Sequence, residues 1–376
     1  RMPSEALAKE GKLLRRIPPS GKVPRACPRG SMILKNARKI LRFLSRKKDV
    51  LSPLLIMMHD YPDPDAIASA YALHYLAERE FGVQTRIVYR GIIGRMENRS
   101  MVSILKLPIH KLRSGDLKRY PHVALLDTQP GFENNCFPLT RRAQMVIDQH
   151  PSIARFTADL SVIDPECGAT SVILAQALLS LKREIPVPVA TALAYGILTD
   201  TMNLYRARQP DISQIYLNIL SHSDMRILAR IQNPLRSRRF FTSLGRGIHQ
   251  ATVRRGLILS HLGAVESPDL VAQVADFLLS YKGMNYAACT GRYKGKLYVS
   301  LRMQKMTASA PDILRDVFTN PRNAGGHGLI AGGSFTVGAN PGEENWEAAE
   351  GTFTERLMKR LRIPLKGDLY YPFRPT

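Results

Sequence analysis

Three things are scarce in this chain. No window approaches the ~18 consecutive apolar residues of a membrane-spanning helix, which excludes a membrane bundle. The four cysteines, Cys27, Cys136, Cys167 and Cys289, are scattered and include no Cys-x-x-Cys. That is a poor disulfide framework and a poor zinc site, and it points to a reducing, cytoplasmic location. Acids are also in deficit: 31 Asp and Glu face 54 Lys and Arg, a net charge of +23, with a pI near 10.1. A chain this basic attracts polyanions, whether nucleic acid, nucleotides or an anionic membrane surface.

What is present suits a globular protein. The 376 residues make about two domains at ~150 residues each, and 44% are hydrophobic. The charge is uneven, because residues 1–50 carry fifteen Lys and Arg against three acids. The first thirty residues are rich in Pro, Arg and Ser, read as a flexible basic arm, and lack the apolar stretch of a secretory signal. The run Pro28-Arg29-Gly30-Ser31-Met32 resembles a protease-site remnant ahead of a start methionine, so part of residues 1–31 is expected to be vector-derived. Asn36 to Lys47 is a basic helix whose apolar face is too short for a membrane anchor.

From residue 50 strands and helices alternate. Leu54 to Met58 is a continuous apolar run, as in a strand buried on both faces. It ends at His59, and a helix is expected from Asp65 to Phe81, stopped by Gly82. Thr85 to Tyr89, His122 to Leu126 and Met145 to Ile147 are further strands, and Gly168 to Leu181 and Val187 to Leu198 are helices. This alternation predicts an α/β fold with a mostly parallel sheet. The pattern weakens over residues 206–265. A second, smaller α/β unit starts near Ser267-Pro268-Asp269, with a helix to Tyr281. Ala287 to Tyr293 and Lys296 to Met303 then form a hairpin about Lys294-Gly295. A helix from Pro311 to Phe318 and a glycine-rich loop, Gly325-Gly326-His327-Gly328, follow. The expected division is a basic extension over 1–48, a catalytic domain over 49–235, a connector over 236–265, a substrate-binding domain over 266–345 and a tail over 346–376.

Acids and histidines sit at the ends of these elements: His59 with Asp63 and Asp65, then Asp127, then Asp148 with His150, then Asp200. Ligands of parallel α/β sheets bind outside the carboxyl ends of the strands, so residues distant in sequence converge there. So many carboxylates and imidazoles in one crevice repel one another unless a cation is present. Mixed His/Asp ligation suits an ion such as manganese better than calcium. Two ions bridged by one carboxylate would lower the pKa of a water and clamp both oxygens of a phosphoryl displacement.

The run His59-Asp60-Tyr61-Pro62-Asp63-Pro64-Asp65-Ala66-Ile67-Ala68-Ser69-Ala70 resembles motif I of the DHH phosphoesterases. Leu125-Leu126-Asp127-Thr128 resembles motif II, Asp148-Gln149-His150-Pro151 the name-giving motif, and Tyr195-Gly196-Ile197-Leu198-Thr199-Asp200-Thr201 motif IV. Arg302, Gly325-Gly326-His327 and Ala331-Gly332 are similar to the family's associated C-terminal domain. The resemblance spans roughly residues 50 to 340 and implies roles for the matching residues. His59, Asp63 and Asp127 would hold one manganese, and Asp65, Asp127 and Asp200 a second, with Asp127 bridging. His150 would face the scissile phosphate. Arg302, Gly325, Gly326 and His327 would hold another part of the substrate.

Gln149 departs from the family by replacing a ligating histidine. An amide oxygen is a weak, neutral ligand, so the second ion is expected to be loose or absent. Pro64 and Ala68 replace glycines of motif I. The implied activity is manganese-dependent hydrolysis, with one or two ions and magnesium as the alternative. The implied substrates are short oligonucleotides or small nucleotides such as phosphoadenosine phosphate. Cyclic dinucleotides are a second substrate class, and a catalytically weak protein that binds nucleotides or single-stranded nucleic acid is the reading from another class. A homodimer is compatible with this reading, and a membrane partner is not expected. Arg236, Arg238 and Arg239 are expected either to contact substrate phosphates or to lie in a solvated linker.

Overall fold

The computed structural model describes residues 31–152, 155–305, 309–327, 329–365 and 370–374. The basic arm before Ser31, with Cys27, lies outside them. Among the described residues Cys136, Cys167 and Cys289 are free, and no helix is long and apolar enough to cross a membrane. The chain divides into two compact units, residues 1–92 with 101–229 and residues 93–100 with 230–376.

The first unit is built on a parallel sheet of six strands: β1 Leu54–Met58, β2 Thr85–Tyr89, β3 Ile109–Lys111, β4 His122–Leu126, β5 Ala143–Asp148 and β6 Ala158–Ile163. Their order is β3-β2-β1-β4-β5-β6, and every pairing is parallel. The order reverses direction between β1 and β4, which opens a crevice at their carboxyl ends. All five residues of β1 are buried, as its unbroken apolar run requires. Leu55, Met57, Val88, Val123, Leu125 and Val146 share one core cluster. The basic helix runs over Met32–Leu51, longer at both ends than expected, because Ile33, Leu34, Ala37, Ile40, Leu44 and Leu51 supply a continuous buried stripe. Its buried Asn36 donates to Asp164 at 2.9 Å.

The Pro64–Tyr75 helix follows β1, capped by Asp63, whose Oδ1 accepts from the Ala66 amide at 3.0 Å. It passes into a π-helical turn over Leu76–Glu80, so the expected helix to Phe81 changes type partway. The Val187–Asp200 helix lies against it at Gly196. A Cβ there would sit 2.8 Å from Ala68 Cβ and 3.1 Å from the Pro64 carbonyl oxygen. Glycine thus permits the approach that brings Asp200 toward the amino end of the helix carrying Asp63 and Asp65.

The second unit holds a mixed sheet with the order β11-β12-β10-β9-β8-β7. Its strands are β7 Thr252–Arg254, β8 Leu257–Ala264, β9 Tyr286–Tyr293, β10 Lys296–Met303, β11 Ala324–His327 and β12 Ile330–Thr336. β8 and β9 pair in parallel and the others antiparallel. The β9–β10 hairpin turns at Lys294 and Gly295 with φ of 46° and 70°, the left-handed pair that a two-residue turn demands. Residues 236–265, expected as a connector, hold the Arg238–Gln250 helix together with β7 and β8. Phe240, Leu244 and Gly247 form the narrow buried face of that helix, thin enough for its arginines to hide the helical period. Arg236 bonds Glu97 at 2.8 Å and Arg239 pairs with Glu266, both within this unit. The Glu343–Arg360 helix crosses the boundary expected between residues 345 and 346, and its Phe353, Leu357 and Met358 share a core with Leu259 and Leu301.

Two glycine substitutions should act in opposite senses. Gly196→Ala forces a Cβ against Ala68 and should cost about 1–3 kcal/mol by overpacking. Gly351→Ala lies in the Glu343–Arg360 helix with open space around its Cβ, and should gain about 0.5–1 kcal/mol of helix propensity. Urea midpoints of the two variants check the contrast.

Candidate metal centre

The sheet brings together residues from four separated segments. His59 and Asp63 follow β1, Asp127 follows β4, Asp148 ends β5 and Asp200 ends the Val187–Asp200 helix. One ligand atom each from His59, Asp63 and Asp127 lies within 4.8 Å of the others, and the same holds for Asp127, Asp148 and His150. Asp127 belongs to both groups. It is 1% exposed, and its φ of 57° lies in the left-handed region, which aspartate tolerates better than most residues. That turn redirects the chain at the end of β4 and sets the carboxylate in the crevice. Thr170 Oγ1 donates to Asp127 Oδ1 at 2.8 Å and accepts from the Gln149 backbone N–H at 3.1 Å.

His59 is oriented through its far nitrogen. Nδ1 lies 2.8 Å from the Asp60 carbonyl, which can only accept, so Nδ1 carries the proton. Nε2 then faces Asp63 Oδ1 and Asp127 Oδ2, 3.7 Å from each. Asp60 is itself held by Arg90 Nε at 2.9 Å. An imidazole fixed by a carbonyl and aimed at two carboxylates is a donor set suited to a divalent transition metal.

His150 is accessible from solvent, with 37% of its side chain exposed, close to the 40% of Asp63. Its Nδ1 lies 2.8 Å from Asp148 Oδ1 and 3.7 Å from Asp127 Oδ1. Asp148 is fixed in turn by Gln129, whose Nε2 donates to Asp148 Oδ2 and to the His150 carbonyl, both at 2.7 Å. Ser152 donates to Gln129 Oε1 at 2.6 Å. Gln129 and Thr170 escaped the sequence reading. Gln129 stands two residues after Asp127, but neither an amide nor a hydroxyl advertises a site by type.

The residues expected at a second ion behave differently. Asp65 is fully buried, and its two oxygens accept from the Thr170 and Ser171 amides at 2.7 and 2.8 Å. It closes the amino end of the Thr170–Ser180 helix. Gln149, in the histidine position, donates through Nε2 to Asp200 Oδ2. An amide N–H therefore engages one of the two Asp200 oxygens.

The remaining expected residues lie in the second unit. Arg302 is buried, with Nε on Asp276 Oδ1 at 2.5 Å and Nη1 on Ser300 Oγ at 2.7 Å. Nη1 also meets the Ala331 carbonyl at 3.2 Å. Ala331 pairs with Gly326, and Gly325 with Gly332, so the expected loop is strand β11, and Arg302 pairs not with it but with Ile330 of β12. Gly326 has φ of 152°, and a Cβ there would lie 2.1 Å from the Ile330 carbonyl oxygen. No other residue fits. Of His327 only the backbone pairing with Ile330 is described.

Burial and mutual repulsion make the cluster hold protons. Burial first, then the charge of Asp63, pushes Asp127 up to about 8. Burial first, then Asp65, does the same to Asp200. Asp65 is raised well above the carboxylate range, by burial and then by Asp127. For His59, burial works downward, but Asp63, then Asp127 and the Asp60 carbonyl, outweigh it and raise the value to about 10. The Asp148 hydrogen bond, against burial and with help from Asp127, lifts His150 to about 9.

The sign of the resulting pH dependence is fixed. Carboxyls whose folded values exceed the unfolded 3.8 take up protons on folding, so the cation-free protein loses stability as pH rises from about 4 to 8. His59 adds stability that is complete below 6.5 and lost toward 10, in the same direction. A cation competes with these protons, so its effect grows with pH. Melting temperatures in chelator should fall from pH 5 to 8, and manganese should restore more of the loss at pH 8. Asp127→Asn should flatten the fall and remove most of the manganese effect; a flat wild-type profile in chelator would refute this account.

Comparison with known proteins agrees with this geometry. Residues 53–197 match the family model described as the DHH family, N-terminal domain. An uncharacterized protein of Methanocaldococcus jannaschii is 30% identical over 332 residues, covering 88% of this chain and 68% of its own length. A probable manganese-dependent inorganic pyrophosphatase of Streptococcus equi subsp. zooepidemicus is 28% identical over 165 residues, 41% of this chain. The chain spans about half the length of that pyrophosphatase. Among solved structures, an exopolyphosphatase-related protein from Bacteroides fragilis has a TM-score of 0.62 at 17% identity, covering 86% of this chain and 98% of its own. That last likeness is one of fold. With its ordered motifs gathered at the switch point of a parallel sheet, the chain belongs to the DHH family of phosphoesterases.

Proposed function

We propose that this phosphoesterase uses manganese to hydrolyse short oligonucleotides or small nucleotides such as phosphoadenosine phosphate. The reading is carried by one observation, the convergence of His59, Asp63 and Asp127 on shared space beside His150. His59 Nε2, Asp63 and Asp127 would hold the cation. When bound, the ion withdraws charge from a phosphate oxygen and makes a water more acidic. The chain's own groups do the rest. Asp148 and Gln129 hold the His150 ring, and its imidazolium pairs with a non-bridging phosphate oxygen or protonates the leaving oxygen. Thr170 keeps the Asp127 carboxylate turned toward the site. Arg302, Gly325, Gly326 and His327 are the second unit's substrate-binding residues in this reading.

The Gln149–Asp200 hydrogen bond favours a centre with one firmly held ion, with Asp65 acting as a helix cap and Asp200 paired to an amide. Purified protein incubated with manganese and labelled dinucleotides should release mononucleotides. Absence of turnover on di- to pentanucleotides and on phosphoadenosine phosphate would overturn the substrate assignment. Native mass spectrometry in manganese should count one ion in the wild type and two in Gln149→His, since an imidazole nitrogen replaces a weak amide ligand. Two ions already present in the wild type would refute the single-ion reading.

A further inference from the structure

The Met32–Leu51 helix carries seven Lys and Arg against one acid, Asp49. All seven cations, Lys35, Arg38, Lys39, Arg42, Arg46, Lys47 and Lys48, are exposed. Among the described residues, no ion pair engages any of them. Lys39, Arg42 and Arg46 follow one another at spacings of three and four, a single row along the helix in which like charges repel. The row borders a groove of about 480 Å³ to which Lys47, Arg142 and the half-buried Phe43 also contribute. The groove's one acid is Asp159, and Arg142 Nε already occupies it at 2.5 Å.

The groove is separate from the metal centre. Arg142 immediately precedes β5, and Asp159 and Leu160 open β6, so the groove lies at the amino ends of the parallel strands. The acids gather at their carboxyl ends, one strand away, roughly 17 Å at the ~3.3 Å rise per residue of a six-residue strand.

We propose that this groove is a docking site for the phosphate backbone of single-stranded nucleic acid. A row of cations spread along two helical turns matches a ligand with repeated negative charge, and a single phosphate could engage only part of it. Phe43 offers a ring on which a base can stack, the combination that single-strand binders use. An anionic membrane fits less well. Ile33, Ile40 and Leu44, the apolar face that would enter a bilayer, are already buried in the unit.

The test uses the full chain in chelator, so that no hydrolysis occurs, and follows the anisotropy of a labelled oligouridylate of about twelve nucleotides. The charge-reversal variant Lys39→Glu/Arg42→Glu/Arg46→Glu should weaken binding at least about tenfold. It should also make the slope of log affinity against log salt shallower by about 2, three phosphate contacts at ~0.7 each. A variant with the same charge change at the exposed Arg226, Lys282 and Lys359 should stay within about twofold of wild type. Hydrolysis of a dinucleotide in manganese should be unchanged in both. If the reversed helix melts early, the alanine triple at the same positions keeps the helix and should shift affinity in the same direction. Unchanged affinity in the groove variants, or equal losses in both charge-reversal variants, overturns the proposal. So does binding to phosphatidylserine vesicles that the groove variant abolishes while oligonucleotide binding persists.

Discussion

The first unit is organised around a repulsion. Asp63, Asp65, Asp127 and Asp200, with His59 and His150, are drawn into a crevice where burial raises the cost of each charge and every carboxylate raises the pKa of its neighbours. A fold tolerates such a cluster only if protons, a cation or oriented dipoles offset it. This fold supplies the dipoles. The first amides of the Thr170–Ser180 helix face Asp65, Thr170 holds Asp127, and the Ala66 amide holds Asp63. The left-handed backbone at Asp127 and the bare Cα of Gly196 are the steric means by which distant segments reach the same point.

The position of that point follows from topology. Strand order reverses between β1 and β4, and the loops after those two strands diverge to leave space. The residues that ring it come in two layers. His59, Asp63, Asp127 and His150 face the gap, while the Asp60 carbonyl orients His59, Thr170 orients Asp127, and Asp148 with Gln129 orients His150. The second unit repeats the principle with opposite charge. Arg302 is buried in a mixed sheet and satisfied by Asp276, Ser300 and backbone carbonyls, so its guanidinium is held in one place.

Much of this was legible along the chain, because strong local patterns survive folding unchanged. β1, β2 and β4 have the bounds their apolar runs suggest. The β9–β10 hairpin turns at the Lys-Gly pair that its alternation requires. β3 and β6 were not legible: one has three residues, and both lie at sheet edges with mixed burial, where neither an apolar run nor clean alternation is demanded. Within the 206–265 region, the Met225–Gln232 and Arg238–Gln250 helices were hidden because arginines interrupt their apolar periodicity.

The sequence alone determined the α/β architecture, the family and the residue types at the centre, since ordered acids at strand ends carry both the chemistry and its place in the chain. It also showed that the basic charge is concentrated near the amino end. Only the tertiary structure decided how each group is used. Asp65 meets a helix end and Gln149 meets Asp200 because a third element, the Thr170–Ser180 or the Val187–Asp200 helix, arrives there from more than twenty residues away. Gln129 and Thr170 became visible for the same reason: hydrogen bonds depend on three-dimensional proximity, which linear spacing does not encode. The basic helix likewise became a groove once its apolar stripe was buried and Arg142 was set beside it.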